Sequence, residues 1–244
     1  MQVSMTLKIR LYVDHPLGSG QTVLLNRDQA HYLFGVMRQG VGAQVALFNS
    51  RDGEWRAEVS EAGKRTGVLR CVALTRALQM PPDLWLLFAP IKKARTDFIV
   101  EKAAELGVAQ IFPVQTAFTN SERIRQDRLQ AHVIEATEQC GGTFVPQVQG
   151  LQKLDQLLAQ WPPERRVMFC DEATAGERLS LAAAPVGPWA ILIGPEGGFS
   201  ALERSRLNAM DGAHVVSLGP RILRADTAVV AAITLWQAAL GDWT

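Results

Sequence analysis

The fifteen residues from Trp189 to Glu203, WAILIGPEGGFSALE, constrain this chain more than any other stretch. Five apolar residues, Trp189 to Ile193, end at Gly194, which predicts a short strand covered on both faces. Ser200 followed three residues later by Glu203 is a capping box, and it starts a helix at Ala201. Gly194 to Phe199 remains as a loop of three glycines and one proline. Backbone of that kind lets a ligand come close, and it stands at the C-terminal end of a strand, where open α/β sheets gather their ligands. The loop lacks the lysine of a phosphate-binding P-loop and the G-x-G-x-x-G spacing of a dinucleotide fingerprint, so neither nucleotide motif applies. A flat, apolar ligand group fits it better.

The stretch from Val215 to Ala228, VVSLGPRILRADTA, repeats the plan of strand, Gly-Pro turn and helix. Two such loops at neighbouring strand ends form two walls of one pocket. Together, G-P-E-G-G-F-S and L-G-x-R-I-L-R-A-D-T-A closely resemble the ribosomal RNA small-subunit methyltransferase E (RsmE) family, enzymes of the SPOUT class that use S-adenosylmethionine to methylate N3 of a uridine. The resemblance implies an α/β fold: a SPOUT-type parallel sheet with a C-terminal trefoil knot, preceded by a small PUA-like β-barrel. It also implies S-adenosylmethionine as cofactor, 16S RNA as substrate, either free or in the assembled subunit, and a homodimer. The alternative from another class is a catalytically weak RNA-binding protein of the same fold.

Periodicity along the chain fits two domains. From Lys8 to Thr75, short β-like runs at roughly ten-residue spacing (Ile9 to Val13, Gln44 to Phe48, Trp55 to Val59, Val68 to Val72) suggest a small barrel. One helix interrupts it from Arg27 to Met37, with Asn26 as its cap. His31, Val36-Met37-Arg38, Gly42, Leu47-Phe48 and Gly53 resemble the family's PUA-like RNA-binding domain. Residues 77–83, with Pro81-Pro82, read as a linker between residues 1–76 and a domain over 84–244. There, strands and helices alternate, which predicts a parallel sheet. The last helix, Asp226 to Leu240, is apolar nearly all round and is predicted to be buried on every side, in the core or in a subunit interface.

Of the 244 residues, 48% are hydrophobic, enough for a sizeable core. No apolar run reaches the roughly 20 residues of a membrane span, and the N-terminus lacks a signal-peptide pattern, so the expected location is cytoplasmic. Cys71, Cys140 and Cys170 are far apart and predict neither a disulfide framework nor a zinc site. The net charge of +1 is uneven: residues 1–80 carry ten Lys/Arg against six Asp/Glu, while the remainder is net acidic. That basic segment points as much to a polyanion partner as to ordinary surface charge.

Methyl transfer from a sulfonium to a ring nitrogen is an in-line displacement that needs no metal. The proton on N3 of uracil must leave, and the charge that spreads over the ring carbonyls needs N–H donors or a guanidinium. Arg224 and Arg221 are nearest in sequence; Arg224 has the alternative of pairing with Asp226 or a helix C-terminus. Glu196 is the other catalytic candidate, as a base or as an acceptor of backbone N–H bonds that hold the loop. The resemblance carries cofactor contacts onto Leu192, Gly194, Pro195, Glu196, Gly197, Gly198 and Phe199 of the first loop. In the second it carries them onto Leu218, Gly219, Ile222, Leu223, Arg224 and Thr227. Phe199 and Leu218 are expected to line the adenine slot. RNA contacts are expected at Arg10, Arg38, Lys92, Lys93 and Arg95; three cations at a helix start oppose the macrodipole and suit phosphate. The chain departs from the family pattern at Gly142 and at Ala117-Phe118, where arginines are usual.

Overall fold

Five strands form in the first eighty residues, β3 buried along four of its five residues and β2 alternating in and out: β1 (Arg10–Tyr12), β2 (Thr22–Leu25), β3 (Gln44–Phe48), β4 (Glu54–Ala62) and β5 (Gly67–Arg76). The computed structural model describes residues 7–121, 123–171, 181 and 184–243. It divides into two units, of which the first runs to Met80 and also takes in Thr137–Val145. Its strand order is β1-β3-β4-β5-β2, with β1 parallel to β3 and the other pairs antiparallel. Register shifts along β4 and β5 mark bulges, which increase local twist. Leu11, Val23, Leu25, Leu47, Val59 and Leu69 fill the core. The expected barrel is a five-stranded sheet whose ends, β1 and β2, are not paired among the described residues. The sequence reading missed β2, where only Val23 and Leu25 face inward over four residues.

Asn26 does cap the expected helix, in a reciprocal capping box with Gln29. The helix is α only over α1 (Arg27–Ala30) and widens to a π-helix over His31–Val36.

Thr137–Val145, which the sequence reading placed within 84–244, bonds to this first unit. Arg10 makes the attachment. Its Nη1 donates to the carbonyls of Thr137 and Glu138, both at 2.8 Å, and its Nη2 to Gly142 at 2.5 Å. Those carbonyls close a helix spanning Gln126–Cys140, so a guanidinium supplies the C-cap. Arg10 Nε also donates to the buried Glu54 at 2.7 Å. With its side chain only 12% exposed and its donors committed, Arg10 is structural, which corrects the expectation of an RNA contact. The signal was invisible in sequence because the partners lie more than 120 residues away.

The second unit holds β6 (Leu84–Phe88), α2 (Lys93–Glu105), β7 (Gln110–Gln115), the body of α3 (Gln126–Cys140), β8 (Gln147–Val148), β9 (Gln152–Lys153), α4 (Leu154–Ala159), β10 (Arg166–Cys170), β11 (Trp189–Ile193), α5 (Ala201–Asn208), β12 (Ala213–Val215) and α6 (Ala225–Leu240). The strand order is β12-β10-β11-β6-β7-β8, with β9 also on β7, and each of these pairings is parallel. β11 is buried at all five residues, as a strand covered on both faces must be. Arg165 ties the strand starts together: it donates to both carboxylate oxygens of Asp83 and to the Trp189 carbonyl, while its guanidinium stacks 3.6 Å from the Trp85 ring centroid.

Helix α6 is not buried on every side. Ala225, Ala228, Val229, Ala232, Ile233, Trp236 and Gln237 form the buried stripe. Val230 and Ala231 are half-buried, and Leu235 is 46% exposed.

Candidate active site

Parallel strands aim their C-terminal ends at one rim, and three adjacent ends meet here. The expectation of two neighbouring loops is corrected in one respect: β10 stands between β12 and β11, so its last residues also enter the site. Cys170 and Asp171 from the end of β10, the loop after β11 and the loop after β12 line an open cleft.

Of the expected cofactor residues, Gly194, Pro195, Glu196, Gly198, Phe199, Leu218, Gly219, Ile222 and Leu223 line this cleft. Leu192, Gly197, Arg224 and Thr227 do not. Leu192 is fully buried in the sheet core because it precedes the strand's end by one residue. Gly197 faces Phe118 instead: a Cβ there would stand 3.3 Å from Phe118 Cβ. Thr227 is exposed on the first turn of α6, and Arg224 is the N-cap residue of that helix. The sequence reading omitted Cys170, Asp171, Ile193, Val216, Ala225 and Ala228 from the lining; the available signal was their place at or next to a predicted strand or helix end.

The glycines serve different needs. Gly194 lies against Phe199, whose ring would be 2.7 Å from an added Cβ, and Phe199 is itself held edge-on to Phe169 at 4.9 Å. Gly198 sits at φ +67°, a left-handed conformation. Gly219, at φ +108°, has open space where a Cβ would be, so its backbone faces the cleft directly.

Helix α5 starts at the expected capping box. Ser200 Oγ accepts from Glu203 N, and Glu203 Oε2 accepts from Ser200 N. The buried Glu203 also reaches outside its own helix. Its Oε1 accepts from Ala117 N at 2.8 Å, fixing the 117–118 segment against the glycine loop.

Glu196 does not hold the loop through backbone N–H groups. Its Oε1 accepts from Arg95 Nη1 at 2.7 Å, and Arg95 Nε also lies 3.8 Å from Asp226. Arg95 thus links the first loop to the start of α6, an ion-pair role in place of the expected phosphate contact. Asp226 is thereby paired with Arg95, while the exposed Arg224 guanidinium finds no hydrogen-bond or ion-pair partner among the described residues. Arg221 lines the cleft. Lys92 is the N-cap residue of α2 and Lys93 its first residue, both exposed and unpaired among the described residues. Arg38 is exposed and equally unpaired, at φ 52°. Burial pushes the Cys170 thiol up to about 12. Among the described residues no cluster of metal ligands forms.

The cleft can take a ligand with a flat apolar part against Ile193, Leu218 and Ile222 and with polar edges on loop backbone. Comparison with known proteins gives this geometry a context. A profile described as the RNA methyltransferase domain matches residues 79–237, and one described as the RNA methyltransferase PUA domain matches residues 25–70. Ribosomal RNA small subunit methyltransferase E of Rickettsia conorii is 28% identical over 92% of this chain and 93% of its own length. The enzyme of that name from Neisseria gonorrhoeae, solved bound to S-adenosyl methionine, superposes with a TM-score of 0.88 at 29% identity over 97% of this chain and 99% of that one. A Legionella pneumophila protein solved with bound cofactor SAM gives 0.86 at 30% identity over 96% and 98%. The chain belongs to the RNA methyltransferase family that includes ribosomal RNA small subunit methyltransferase E.

Proposed function

We propose that this protein methylates small-subunit ribosomal RNA with S-adenosylmethionine, at N3 of a uridine. The observation that carries the reading is the cleft itself: both family motifs converge on it at the C-terminal ends of three adjacent parallel strands. Two relatives over nearly the whole length were solved with this cofactor bound, which supports the ligand assignment. The residues suit it. Open backbone at Gly219 and an apolar wall of Ile193, Leu218 and Ile222 fit an adenosyl group. When bound, the cofactor supplies an electrophilic methyl on sulfonium sulfur.

In this reading Arg224 is the guanidinium that faces the charge spreading over the uracil carbonyls, because no partner among the described residues competes for it. Glu196, clasped by Arg95, sets the position of the glycine loop. Lys92, Lys93 and Arg38 contact RNA phosphates, and residues 1–76 act as the RNA-binding domain ahead of a 77–83 linker. The strand order and motif loops suit a trefoil knot of the SPOUT class. The outward stripe of α6 suits a homodimer, and the assembled subunit is as suitable a substrate as free RNA. Work on ribosomal RNA sets the place of action in the cytoplasm.

The test is calorimetric titration with S-adenosylmethionine, followed by transfer of labelled methyl to small-subunit RNA and nucleoside analysis by mass spectrometry. 3-Methyluridine is the expected product, and Arg224→Ala is expected to reduce transfer by about 10²–10³, as loss of one oxyanion donor does. Cofactor binding with no transfer favours the weak RNA-binding alternative, which the absent arginines at Gly142 and Ala117-Phe118 motivate.

A further inference from the structure

Phe118 is 48% exposed, yet the backbone that carries it is held at several points. The residue follows β7, whose C-terminal end opens on the same rim as those of β10 and β11 because these strands are parallel. Within the turn, Thr119 Oγ1 accepts from Thr116 N at 2.9 Å, and Thr119 N donates to the Thr116 carbonyl at 3.2 Å. From outside the turn, the buried Glu203 gives Oε1 to Ala117 N at 2.8 Å while its Oε2 serves the cap of α5. A hydrogen bond to an ionised acceptor is among the stronger kinds, so the segment next to the ring is firmly placed. An aromatic ring shown to water on fixed backbone is preorganised for a flat partner, with little ordering left to do on binding.

The neighbour of that ring is the glycine loop. Phe118 Cβ, Cγ and Cδ2 lie 3.3, 3.6 and 3.8 Å from where a Cβ on Gly197 would stand, so the root of the side chain leans on Gly197. Glu196 and Gly198, on either side of Gly197, line the cofactor cleft. One loop therefore has the cleft on one part of its surface and an exposed aromatic ring on another. The loop after β12 brings two exposed cations to the same cleft, Arg221 in its lining and Arg224 beside it. An aromatic platform with cations close by is the combination that holds single-stranded nucleic acid: bases stack on the ring and phosphates meet the charge. An apolar protein surface would use the ring and leave those cations without anions.

We propose that Phe118 is the stacking platform for an unpaired base of the RNA substrate at the rim of the cofactor cleft. This rests on the RNA reading above. The full chain and its Phe118→Ala, Phe118→Leu and Phe118→Tyr variants are compared for affinity to end-labelled small-subunit RNA by fluorescence anisotropy and for kcat/KM of methyl transfer to it. Calorimetry with S-adenosylmethionine and light scattering are run on the same samples. Alanine and leucine are expected to weaken RNA affinity, and kcat/KM with it, by roughly 5- to 150-fold, the span that loss of one base–aromatic stack gives. Tyrosine is expected to restore both, with cofactor affinity and mass unchanged throughout. Leucine is the deciding variant, since it keeps most of the apolar area and removes the π face. If the wild type binds RNA and Phe118→Leu binds it equally well, the platform is overturned and the RNA reading stands. A fall in cofactor affinity or a change of mass in Phe118→Leu assigns the ring to loop packing or to a partner chain and overturns it as well. If the wild type neither binds nor methylates the RNA, the RNA reading fails and the platform with it.

Discussion

At the scale of single residues, the glycine loop shows why residue type and residue role separate. Gly194 and Gly198 are both needed, one for space and one for conformation. Gly194→Ala places a methyl 2.7 Å from the Phe199 ring and forces that ring off its packing on Phe169. Overpacking of this kind costs about 1–3 kcal/mol, and because Phe199 also lines the cleft, S-adenosylmethionine affinity is expected to fall by at least ~10-fold. Gly198→Val sets a β-branched residue at φ +67° and is expected to cost ~1–2 kcal/mol and the cofactor site. Gly197→Val acts differently, through Phe118, so its effect reports loop packing and not ligand approach. Thermal melts paired with calorimetry separate these cases. A folded Gly194→Ala protein with wild-type affinity would show that Phe199 does not shape the slot. The motif made the loop legible in the sequence, but the ion pairs of Arg10 and Arg95 were not, for a shared reason. Charge on a surface element and charge committed to an ion pair read alike until the partner, Glu54 or Glu196, is brought in from elsewhere in the chain.

Elements are joined here by buried polar side chains as much as by apolar stripes. Gln237, fully buried on α6, donates to the Leu106 carbonyl at 2.6 Å just past the end of α2, and its Oε1 accepts from Asp242 N. Gln237→Leu leaves that carbonyl without its donor and is expected to cost about 1–3 kcal/mol, read from denaturant midpoints. No change would mean that water replaces the amide. In the first unit, Glu54 at the start of β4 joins β1 and β5 through Arg10, Arg76 and Thr75. Burial works to raise its carboxyl pKa, but the hydrogen bonds from Arg76, Arg10 and Thr75 outweigh it and hold the group below the ordinary glutamate value of 4.5. A carboxyl depressed in the folded state stabilises fully above the unfolded pKa, and that stabilisation is lost as pH falls through the folded pKa. The melting temperature is therefore expected to drop on acidification below about pH 4.5, with Glu54→Gln less stable at pH 7 and flatter across the acid range. An equally steep acid limb in Glu54→Gln would assign the transition to other carboxylates. Most strands and helices of the second unit were legible from their apolar runs, with a glycine after β11 and a capping box opening α5. What escaped were β2, β8 and β9, too short for a pattern, and the π-helical turn after Ala30.

For the whole molecule, α6 decides what an isolated chain leaves unfinished. Sequence alone gave it no polar face; within one chain, one stripe is buried and another is not. Ile233 is fully buried, Leu235 is 46% exposed, and Trp243 beyond the helix is 51% exposed. On the proposed homodimer, the apolar side chains left outward on this helix, which also borders the cleft through Ala225 and Ala228, are the surface a two-fold partner would cover. Two substitutions then separate core from interface. Ile233→Glu buries a charge within the chain and is expected to unfold it. Leu235→Glu touches only the outward stripe, so if the proposed dimer brings RNA to the site across both subunits, it is expected to leave a folded monomer that binds S-adenosylmethionine and loses most methyl transfer. Light scattering at micromolar concentration, run beside the cofactor titration and the transfer assay, reads all three properties on the same samples. A wild-type protein that is fully active as a monomer, or a Leu235→Glu protein that remains a dimer, would show that this stripe is ordinary exposed surface.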